Sequence, residues 1–521
     1  MVMAFLLGSV VSVLSLAYAI LDAAPITGPR QLATSTYTDT CKAIANSLST
    51  SAGVYYIGHP LYAKGNAHWA SSSSQNSACV IEPANSNDVS IIMEIISNTS
   101  TPFGIRSGGH ATNPGFSSTP GVQIALFKLN EVTYRATRAM SDGSVGTVEI
   151  GAGLVWDDVY AALQPHNVAV VGGRVTGVGV GGFILGGGYS WLSNQYGLTI
   201  DTVTAFEVVL PNGTIAIATE TTNSDLFFGL KVSPRLELVS SVTRAFQGGL
   251  NNFGIVTKFT LLAFPQGKVW GGLRTFTANQ IDKINNATVD FVQKVNDSKA
   301  AIIIAYNFLL GQLGVSLLMF YDGPTPPAGV FERFTSIPYL STDISTRTLS
   351  SLVRASPANA TYGNRGAFNT VSLKTYSRSL INQVANQSES IQYWGKRLAP
   401  QANFISYDVE PFLPTMSDRS KGGAYPHDDF LVPLNLYFAW QGSSNDEEFI
   451  DAMRESTDLI YRQAVAEGQD VAGAKQIKYP NYAASAESLQ SMYGSNMPRL
   501  KGIKDRYDPN NVMRLAGGYR F

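Results

Sequence analysis

Short apolar runs separated by polar, Gly-rich turns predict strands in the first half of the chain, and apolar residues at helical spacing predict helices between them. In one predicted helix, Ile91, Ile92, Ile95 and Ile96 fall on one face, and residues 86–88 can cap its first turn. The expected strands are residues 79–83, 103–106, 121–129, 146–151, 168–171, 202–210, 214–218 and 253–259, and the expected helices are residues 37–48, 86–96 and 155–163.

The pattern changes after Pro265, where longer apolar runs alternate with amphipathic stretches. Strands are predicted at residues 301–306, 314–321 and 434–440, and helices near residues 281–296 and 383–398. We therefore expect a second α+β domain over residues 267–465. A further helix is predicted around residues 500–504 in the tail.

The composition is that of a well-packed globular protein, with 45% hydrophobic and 14% charged residues. A length of 521 residues makes two domains the natural expectation. The net charge is near −1 and no basic run occurs, so no nucleic-acid partner is expected.

Residues 1–19 predict a secretory signal peptide. Their apolar stretch ends in Ala17-Tyr18-Ala19, which fits a small-x-small cleavage site, although no Lys or Arg precedes it. The alternative is a membrane anchor, but the stretch is shorter than the roughly 20 residues that span a bilayer. We therefore expect a secreted protein without a membrane span.

Two further features fit export. Asn-x-Ser/Thr sequons, each a weak signal by itself, occur at Asn98, Asn212, Asn286, Asn296, Asn359 and Asn386. The two cysteines, Cys41 and Cys79, form an even pair that predicts one disulfide in an oxidising compartment, with two buried free thiols as the alternative.

The predicted strand at residues 103–106 leads into Arg106, Ser107, Gly108, Gly109 and His110. Adjacent glycines let backbone N–H groups turn towards one point, which makes a site for an anion such as a pyrophosphate. Arg106 can add a charge-assisted contact to such an anion. The imidazole of His110 can then contact the group that is attached to the phosphates. The alternative is a Gly-rich surface turn with a solvated histidine.

Residues 172–188 are the most glycine-dense segment of the chain. Gly177, Gly179 and Gly182 match a G-x-G-x-x-G pattern, but the segment lacks the strand–turn–long-helix context of a dinucleotide-binding turn. A backbone that wraps closely along an extended ligand explains these glycines better. A glycine-rich loop packed on itself is the alternative.

Five motifs occur in order along the chain: R-S-G-G-H (106–110), G-V-G-V-G-G-F-I-L-G-G-G (177–188), N-N-F-G-I-V-T-K-F (251–259), Y-P-N-Y (479–482) and Y-D-P-N-N-V-M-R-L-A-G-G-Y-R-F (507–521). Together they resemble the berberine-bridge-enzyme-like branch of the vanillyl-alcohol-oxidase/p-cresol-methylhydroxylase (PCMH) flavoproteins, most of all its secreted fungal members. The resemblance implies a two-domain, PCMH-type α+β fold. Residues 20–266 (core about 75–266) would bind FAD, residues 267–465 would form a substrate domain of antiparallel sheet covered by helices, and residues 466–521 would return to the FAD domain.

The resemblance also implies a cofactor site. Residues 106–109 would cradle the pyrophosphate of FAD, and Ile255 and Val256 would meet its adenine end through backbone groups. The glycines that would wrap the cofactor are Gly179, Gly182, Gly186 and Gly187.

By the same resemblance, His110 would bond covalently to the flavin 8α-methyl. Some family members attach the flavin a second time through a cysteine, which would fall at Val175, and since both cysteines lie elsewhere we predict attachment through His110 only. Members of that family with valine at the position of Val178 tend to admit oxygen to the flavin, so the resemblance favours an oxidase over a dehydrogenase.

Tyr482 aligns with the family tyrosine that deprotonates substrate while hydride leaves the neighbouring carbon. Because the ordinary pKa of tyrosine is near 10, either a neighbour lowers it or the transfer is concerted. In a strand, Lys478 would share a face with Tyr482 and could help. A buried structural tyrosine is the alternative. Weaker candidates for the pocket are Tyr407, Asp408, Glu410 and His427.

One segment departs from the family pattern. Residues 232–247 stand between D-L-F-F-G-L-K (225–231) and G-G-L-N-N-F-G-I-V (248–256), which related chains join directly. Our hypothesis is that the segment is an unspliced intron translated in the gene model. A genuine surface insertion is the alternative, since loops tolerate added length.

We therefore expect a secreted, glycosylated, monomeric oxidase that carries FAD. It would take a hydride from a C–H bond next to oxygen or nitrogen in a small organic substrate, with O₂ as acceptor and H₂O₂ as product. A secondary metabolite is the expected substrate, and no metal is expected. The alternatives are a carbohydrate oxidase, a dehydrogenase with a non-oxygen acceptor, and a non-redox cyclase or binder using the same pocket.

Overall fold

The computed structural model describes residues 37–230, 249–309, 311–389, 398, 401–427 and 429–521. The predicted signal peptide, residues 1–19, and the segment 232–247 lie outside the described residues. Within the described ranges the strands form three sheets accompanied by helices, which confirms the α+β class. None of the helices there has the length and apolarity to cross a membrane.

The first sheet carries the loop that contains His110. Its strand order is Gly53–Tyr55, Cys79–Glu82, Val122–Ala125 and Phe103–Arg106. The last three strands are parallel, and the helices Thr38–Ser47 and Ser86–Thr99 pack against each other beside them. Cys41 and Cys79 form a disulfide, which confirms the predicted pairing.

The helix Ser86–Thr99 begins differently from the prediction. Asn85, and not one of residues 86–88, is its N-cap, because the Asn85 side chain accepts a hydrogen bond from the Asp88 N–H at 3.0 Å. On its apolar face Ile92 and Ile96 are buried, whereas Ile91 and Ile95 are only partly buried.

The second sheet is antiparallel. Its strand order is Val132–Ala136, Gly146–Gly151, Ile255–Pro265, Val203–Val209 and Ile215–Thr219, and Val168–Ala169 also pairs with Ile255–Pro265. The sequence pattern did not predict Val132–Ala136, because this edge strand is largely exposed and carries little apolar signal. The strand predicted at residues 121–129 is shorter, Val122–Ala125.

The third and largest sheet is also antiparallel. Its strand order is Ser341–Thr342, Val269–Thr277, Gln312–Tyr321, Ala300–Leu309, Ala402–Val409, Val432–Trp440 and Arg365–Leu373, with Ser345–Arg347 pairing to Val269–Thr277. Three helices, Ile281–Lys294, Arg378–Glu389 and Asp446–Ala466, pack along it. The helix predicted at residues 383–398 therefore begins earlier, at Arg378, and residues 390–397 lie outside the described ones.

Paired side chains show which face of the largest sheet the helices cover. Tyr306 and Tyr407, which are opposite each other, donate hydrogen bonds to Asn285 and Ser456 of two covering helices. Since side chains alternate along a strand, the neighbours of these tyrosines lie on the opposite face. That face meets loops of the first two sheets, for example where the ring of Tyr437 packs against Trp69 with ring centres 4.8 Å apart.

The tail returns to the first half of the chain. Asn252 Nδ2 donates to the Tyr519 carbonyl at 2.9 Å, and Phe103 forms a bridge with Ala516. The remaining α-helices of the described residues are Pro60–Asn66, Trp156–Leu163, Val180–Leu185, Ser193–Tyr196, Ser224–Leu230, Glu332–Thr335, Leu349–Val353, Thr415–Asp418, Leu489–Tyr493 and Met497–Tyr507.

Candidate active site

Two glycine loops touch each other through their backbones at the end of the strand Phe103–Arg106. A Cβ atom on Gly108 would lie 2.5 Å from the backbone nitrogen of Gly179, so neither loop has room for a side chain there. Ser107 joins the same loops, since its Oγ donates to the Ala152 carbonyl at 2.6 Å and accepts from the Gly181 N–H at 3.1 Å. The glycine-containing segments 106–110 and 177–188 therefore pack together into one site.

Arg106 supports this structure from inside the protein. Its guanidinium lies 4.8 Å from the centre of the Phe127 ring and donates to the Lys64 carbonyl. Burial lowers the pKa of Arg106 to about 10. Gly109 lies directly against this guanidinium with a φ of +71°, a conformation that favours glycine. The side chain of Arg106 thus packs inside the protein and shapes the loop.

The glycine-rich segment contains a short helix, Val180–Leu185, directly after Gly179. A Cβ on Gly182 would meet nothing within 4 Å, so this position faces open space. Gly186 lies against the side chain of Asn481, and Gly187 has a φ of +112°. The segment is therefore partly open and partly packed on the C-terminal motif.

Ile255, Val256 and Val178 lie at the border of the same cluster. Ile255 and Val256 pair with Val209 and Val208, and the next residue, Thr257, accepts from the N–H of Ala152, the partner of Ser107. The Val178 carbonyl accepts from the Trp156 N–H at 3.0 Å. Residues 152–156, 208–209 and 255–257 thus meet beside the glycine loops.

His110 is held by aromatic rings. Its imidazole stacks on Trp69 with ring centres 4.4 Å apart and lies 6.4 Å from Phe368. Nε2 is buried and has no hydrogen-bond partner among the described residues. Burial lowers the pKa of His110 to about 4, so the ring is neutral at pH 7 and its lone pair is available as a nucleophile.

These features fit FAD. Close-packed glycine backbones leave N–H groups for a pyrophosphate, and Gly182 leaves space beside them. A neutral imidazole with an unpartnered nitrogen suits a covalent bond to the cofactor.

Tyr482, which is partly buried, forms a three-residue cluster with two buried ionic side chains. Its hydroxyl donates to Glu410 Oε1 at 3.1 Å and accepts from Arg174 Nη2 at 2.9 Å. Arg174 Nη2 also donates to Glu410 Oε2 at 2.6 Å, and the two ionic side chains are 7% and 3% exposed. The ring of Tyr482 lies 6.1 Å from that of Phe368, which connects the cluster to His110.

The pKa of Tyr482 is not lowered. Burial raises it well above 10 and the Glu410 carboxylate raises it further, while Arg174 acts in the opposite direction. Burial also raises the pKa of Glu410, against the effect of Arg174. Tyr482 is therefore protonated at neutral pH, which favours the concerted alternative.

The structure corrects four expectations around Tyr482. Residues 480–482 form a turn and not a strand, and Lys478 forms an ion pair with Glu487 instead of assisting Tyr482. Tyr407 lies on the helix-covered face, where its hydroxyl donates to Ser456 at 3.0 Å. His427 is buried against Asp201, with Nε2 3.1 Å from the carboxylate, and does not line the cluster.

Asp408 and Glu410 do share the face that meets the first two sheets. Ser406 Oγ donates to one Asp408 oxygen, and Asn435 Nδ2 donates to the other at 3.1 Å. Asn435 Oδ1 is buried and has no donor among the described residues. Burial raises the pKa of Asp408 to about 7. This face therefore offers polar groups to a bound molecule.

Sequence reasoning missed Arg174 and Trp69. Arg174 had a usable signal, because it is the one charged residue inside the glycine-dense stretch 172–188. Trp69 had none, since it stands in a polar Gly/Ser/Ala-rich region with no periodic pattern. Asn481, whose Nδ2 donates to the Phe183 carbonyl at 3.1 Å, lies within the Y-P-N-Y motif, but its role as a link was not predicted.

Comparisons with known proteins agree with this arrangement. Residues 77–219 match the FAD binding domain family, and residues 478–518 match the family described as berberine and berberine like. FAD-dependent monooxygenase drtC from Aspergillus calidoustus is 30% identical over 472 residues, covering 87% of this chain and 84% of that protein. An uncharacterised FAD-linked oxidoreductase from Arthroderma benhamiae is 31% identical over 465 residues, covering 85% and 87%.

Solved structures share the fold. BBE-like 1 from Physcomitrella patens matches with a TM-score of 0.70 at 17% identity, over 92% of this chain and 97% of that one. Glucooligosaccharide oxidase from Acremonium strictum matches with a TM-score of 0.68 at 17% identity, over the same shares. The PCMH-type fold and the FAD cofactor expected from the sequence are thereby confirmed. The chain belongs to the berberine-bridge-like family of FAD-dependent oxidoreductases.

Proposed function

We propose that this protein is an oxidase with covalently attached FAD that takes a hydride from a C–H bond next to oxygen or nitrogen in a small organic substrate and reduces O₂ to H₂O₂. The observation that carries the proposal is the Arg174–Glu410–Tyr482 cluster, one aromatic ring away from His110. FAD, when bound, accepts the hydride.

The cluster can move the proton that accompanies hydride loss. Tyr482 presents an O–H group that is already hydrogen-bonded to the Glu410 carboxylate. As Tyr482 accepts a substrate proton on oxygen, its own proton can pass to Glu410, so no free phenolate is needed. Arg174 stabilises negative charge on either oxygen during this transfer.

The proposed attachment uses His110 alone. The position expected for a second, cysteinyl bond is Val175, and both cysteines are already joined in the disulfide between Cys41 and Cys79. Residues 106–109 and the glycines of residues 177–188 would hold the pyrophosphate and the body of the cofactor, with Ile255 and Val256 at its adenine end.

A secondary metabolite is the proposed substrate. The Asp408 carboxyl and the unpartnered Asn435 Oδ1 suit a substrate that presents hydroxyl or amine donors. Several relatives, among them drtC, are named FAD-dependent monooxygenases, which favours a second candidate: a monooxygenase that places an oxygen atom from O₂ in the product. Reaction under ¹⁸O₂ separates the two, since only a monooxygenase gives labelled product.

We also propose export of a glycosylated monomer after removal of residues 1–19, with FAD and substrate domains divided near residues 266 and 465. Support comes from the disulfide and from the six sequon asparagines, all of which are exposed. Treatment of the secreted protein with an N-glycosidase should lower its apparent mass.

The test uses Tyr482→Phe and Glu410→Gln. We expect each to lower kcat for peroxide release by about 10²-fold or more with the flavin content unchanged, because the proton transfer is lost. Tyr407→Phe is the matched control, since it removes a buried hydroxyl on the helix-covered face of Ala402–Val409, the strand that directly precedes Glu410. Full activity in Tyr482→Phe would overturn the assigned role, and absence of peroxide with every donor tested would overturn the oxidase proposal.

A further inference from the structure

We propose that Trp69 is the positioning residue that presents the His110 imidazole to the flavin for covalent attachment. The inference rests on the proposed covalent bond and goes beyond it, because it concerns how the bond comes to form. Nothing in the local sequence around Trp69 indicates such a role.

The first observation is the geometry of the rings. Trp69 and His110 are nearly parallel, with an interplanar angle of 15° and ring centres 4.4 Å apart. Phe368 is parallel to Trp69 within 5°, at 5.7 Å. The imidazole is thus aligned with two larger rings, and stacking of this kind fixes the plane of a ring.

The second observation is how Trp69 itself is fixed. The backbone N–H of Trp69 donates to the carbonyl of Gly109, the residue directly before His110, at 2.9 Å. The backbone carbonyl of Trp69 accepts from the Gly363 N–H at 2.9 Å. The indole is 6% exposed and also packs against Tyr437, with ring centres 4.8 Å apart. Trp69 therefore connects the His110 loop to the largest sheet as a rigid support.

The third observation concerns the Nε2 atom of His110, which makes no hydrogen bond to the described residues. A histidine with a chemical task is usually oriented by a hydrogen bond to one of its ring nitrogens. In His110, Nε2 is buried without a partner among the described residues, and the indole Nε1 of Trp69 is unpartnered as well. Packing against Trp69 holds the plane of the imidazole and leaves Nε2 without a hydrogen bond.

Covalent attachment of the flavin is a two-electron oxidation. One C–H bond of the flavin 8α-methyl and the N–H bond of the imidazole break, and one C–N bond forms. The two hydrogens, with two electrons, pass through the flavin ring to O₂, which becomes H₂O₂. Because the imidazole must meet the methyl carbon in one orientation, a support for its plane controls the rate.

The experiment measures how much of the bound flavin is covalent. Purified protein is precipitated with acid, and flavin is quantified in the washed pellet and in the supernatant. We expect Trp69→Ala to keep FAD bound but to lower the covalent fraction by about tenfold, because the imidazole loses its orientation. Trp69→Phe, which keeps a stacking ring, should restore most of it. Trp270→Ala is the control, since Trp270, which lies in the largest sheet, stacks on Phe331 and not on His110.

The outcomes separate this inference from the proposed function. A wild-type pellet without flavin would overturn the covalent bond itself. A wild-type pellet with flavin and an equal covalent fraction in Trp69→Ala would overturn only the role of Trp69. Loss of all flavin from both Trp69→Ala and Trp69→Phe would also overturn it, because Trp69 would then serve FAD binding or folding.

Discussion

Desolvation of the His110 ring, whose Nε2 is buried, lowers the pKa of the imidazole to about 4 from an ordinary value of 6.5. A ring with a lowered pKa stays neutral, and hence nucleophilic, until the pH falls to that value. If His110 attaches the flavin, the pH range of attachment should follow this shifted pKa.

We therefore expect flavin-free protein mixed with FAD to form covalent flavin equally fast at about pH 5.5 and about pH 7.5 and to slow only near the shifted pKa. Flavin in the acid pellet after timed incubation gives the rate, and His110→Ala gives the background. A rate that halves near the ordinary histidine pKa would contradict the prediction.

Asp408 shows the opposite shift, since burial raises its pKa to about 7 from 3.8. The folded state holds this proton more tightly than the unfolded state. Its contribution to stability is therefore complete below the unfolded pKa and is lost as the pH rises through the folded pKa.

Asp408→Asn, which cannot ionise, should therefore raise Tm relative to wild type at about pH 8 more than at about pH 5. Thermal unfolding followed by circular dichroism measures the difference. Asp451→Asn, in an exposed ion pair with Arg454, is the control and should show little dependence on pH. An equal shift at both pH values for Asp408→Asn would refute the assigned pKa.

At the level of secondary-structure elements, the segment 232–247 stands between two stretches of chain that are already in direct contact. The Gly249 N–H donates to the Gly229 carbonyl at 2.9 Å, and Phe253 lies against Gly229. If residues 232–247 were removed, Gly249 would become the fourth residue after Gly229, which is the spacing of a helical turn.

Deletion of residues 232–247 is accordingly expected to keep or increase the FAD content and Tm, because the described flanks need no rearrangement. The ratio of flavin to protein absorbance and a thermal melt compare the two forms. Loss of flavin on deletion would contradict the intron hypothesis and favour a genuine insertion, and transcript sequencing across the junction tests the same point independently.

At the scale of the whole molecule, the candidate site exists only where the sheets meet. His110 and Arg174 come from the first half of the chain, Phe368 and Glu410 from the largest sheet, and Tyr482 from the tail. Stability of the N-terminal part therefore bears on the entire site.

The disulfide between Cys41 and Cys79 joins positions that are 38 residues apart. Replacing both cysteines by serine should destabilise the protein by about 3 kcal/mol, because the unfolded chain regains freedom. Denaturant unfolding of the mature protein measures this loss, and wild type unfolded with a reductant should show the same midpoint. An unchanged midpoint in the double variant would contradict the prediction.

Features that depend on local chemistry could be predicted from the order of the amino acids alone. Adjacent glycines at 108 and 109 and the repeated glycines of residues 177–188 mark places where backbones approach closely, and the structure has Gly108 and Gly179 in contact. The pair of cysteines and most strands were predicted for similar reasons, since they depend on composition and on alternation along the chain. Motifs with a known order also indicated the family and its cofactor.

Which side chains act together depends on how distant segments of the chain fold onto one another. Arg174 and Glu410 are 236 positions apart, and Arg174 and Tyr482 are 308 apart, so no local pattern could join them. Lys478 is close to Tyr482 in sequence, but a turn directs it to Glu487. Trp69 reaches His110 because two loops fold onto the largest sheet. Burial, which sets the pKa values of His110, Asp408 and Tyr482, is likewise a property of the assembled sheets, because it depends on every element packed around each group.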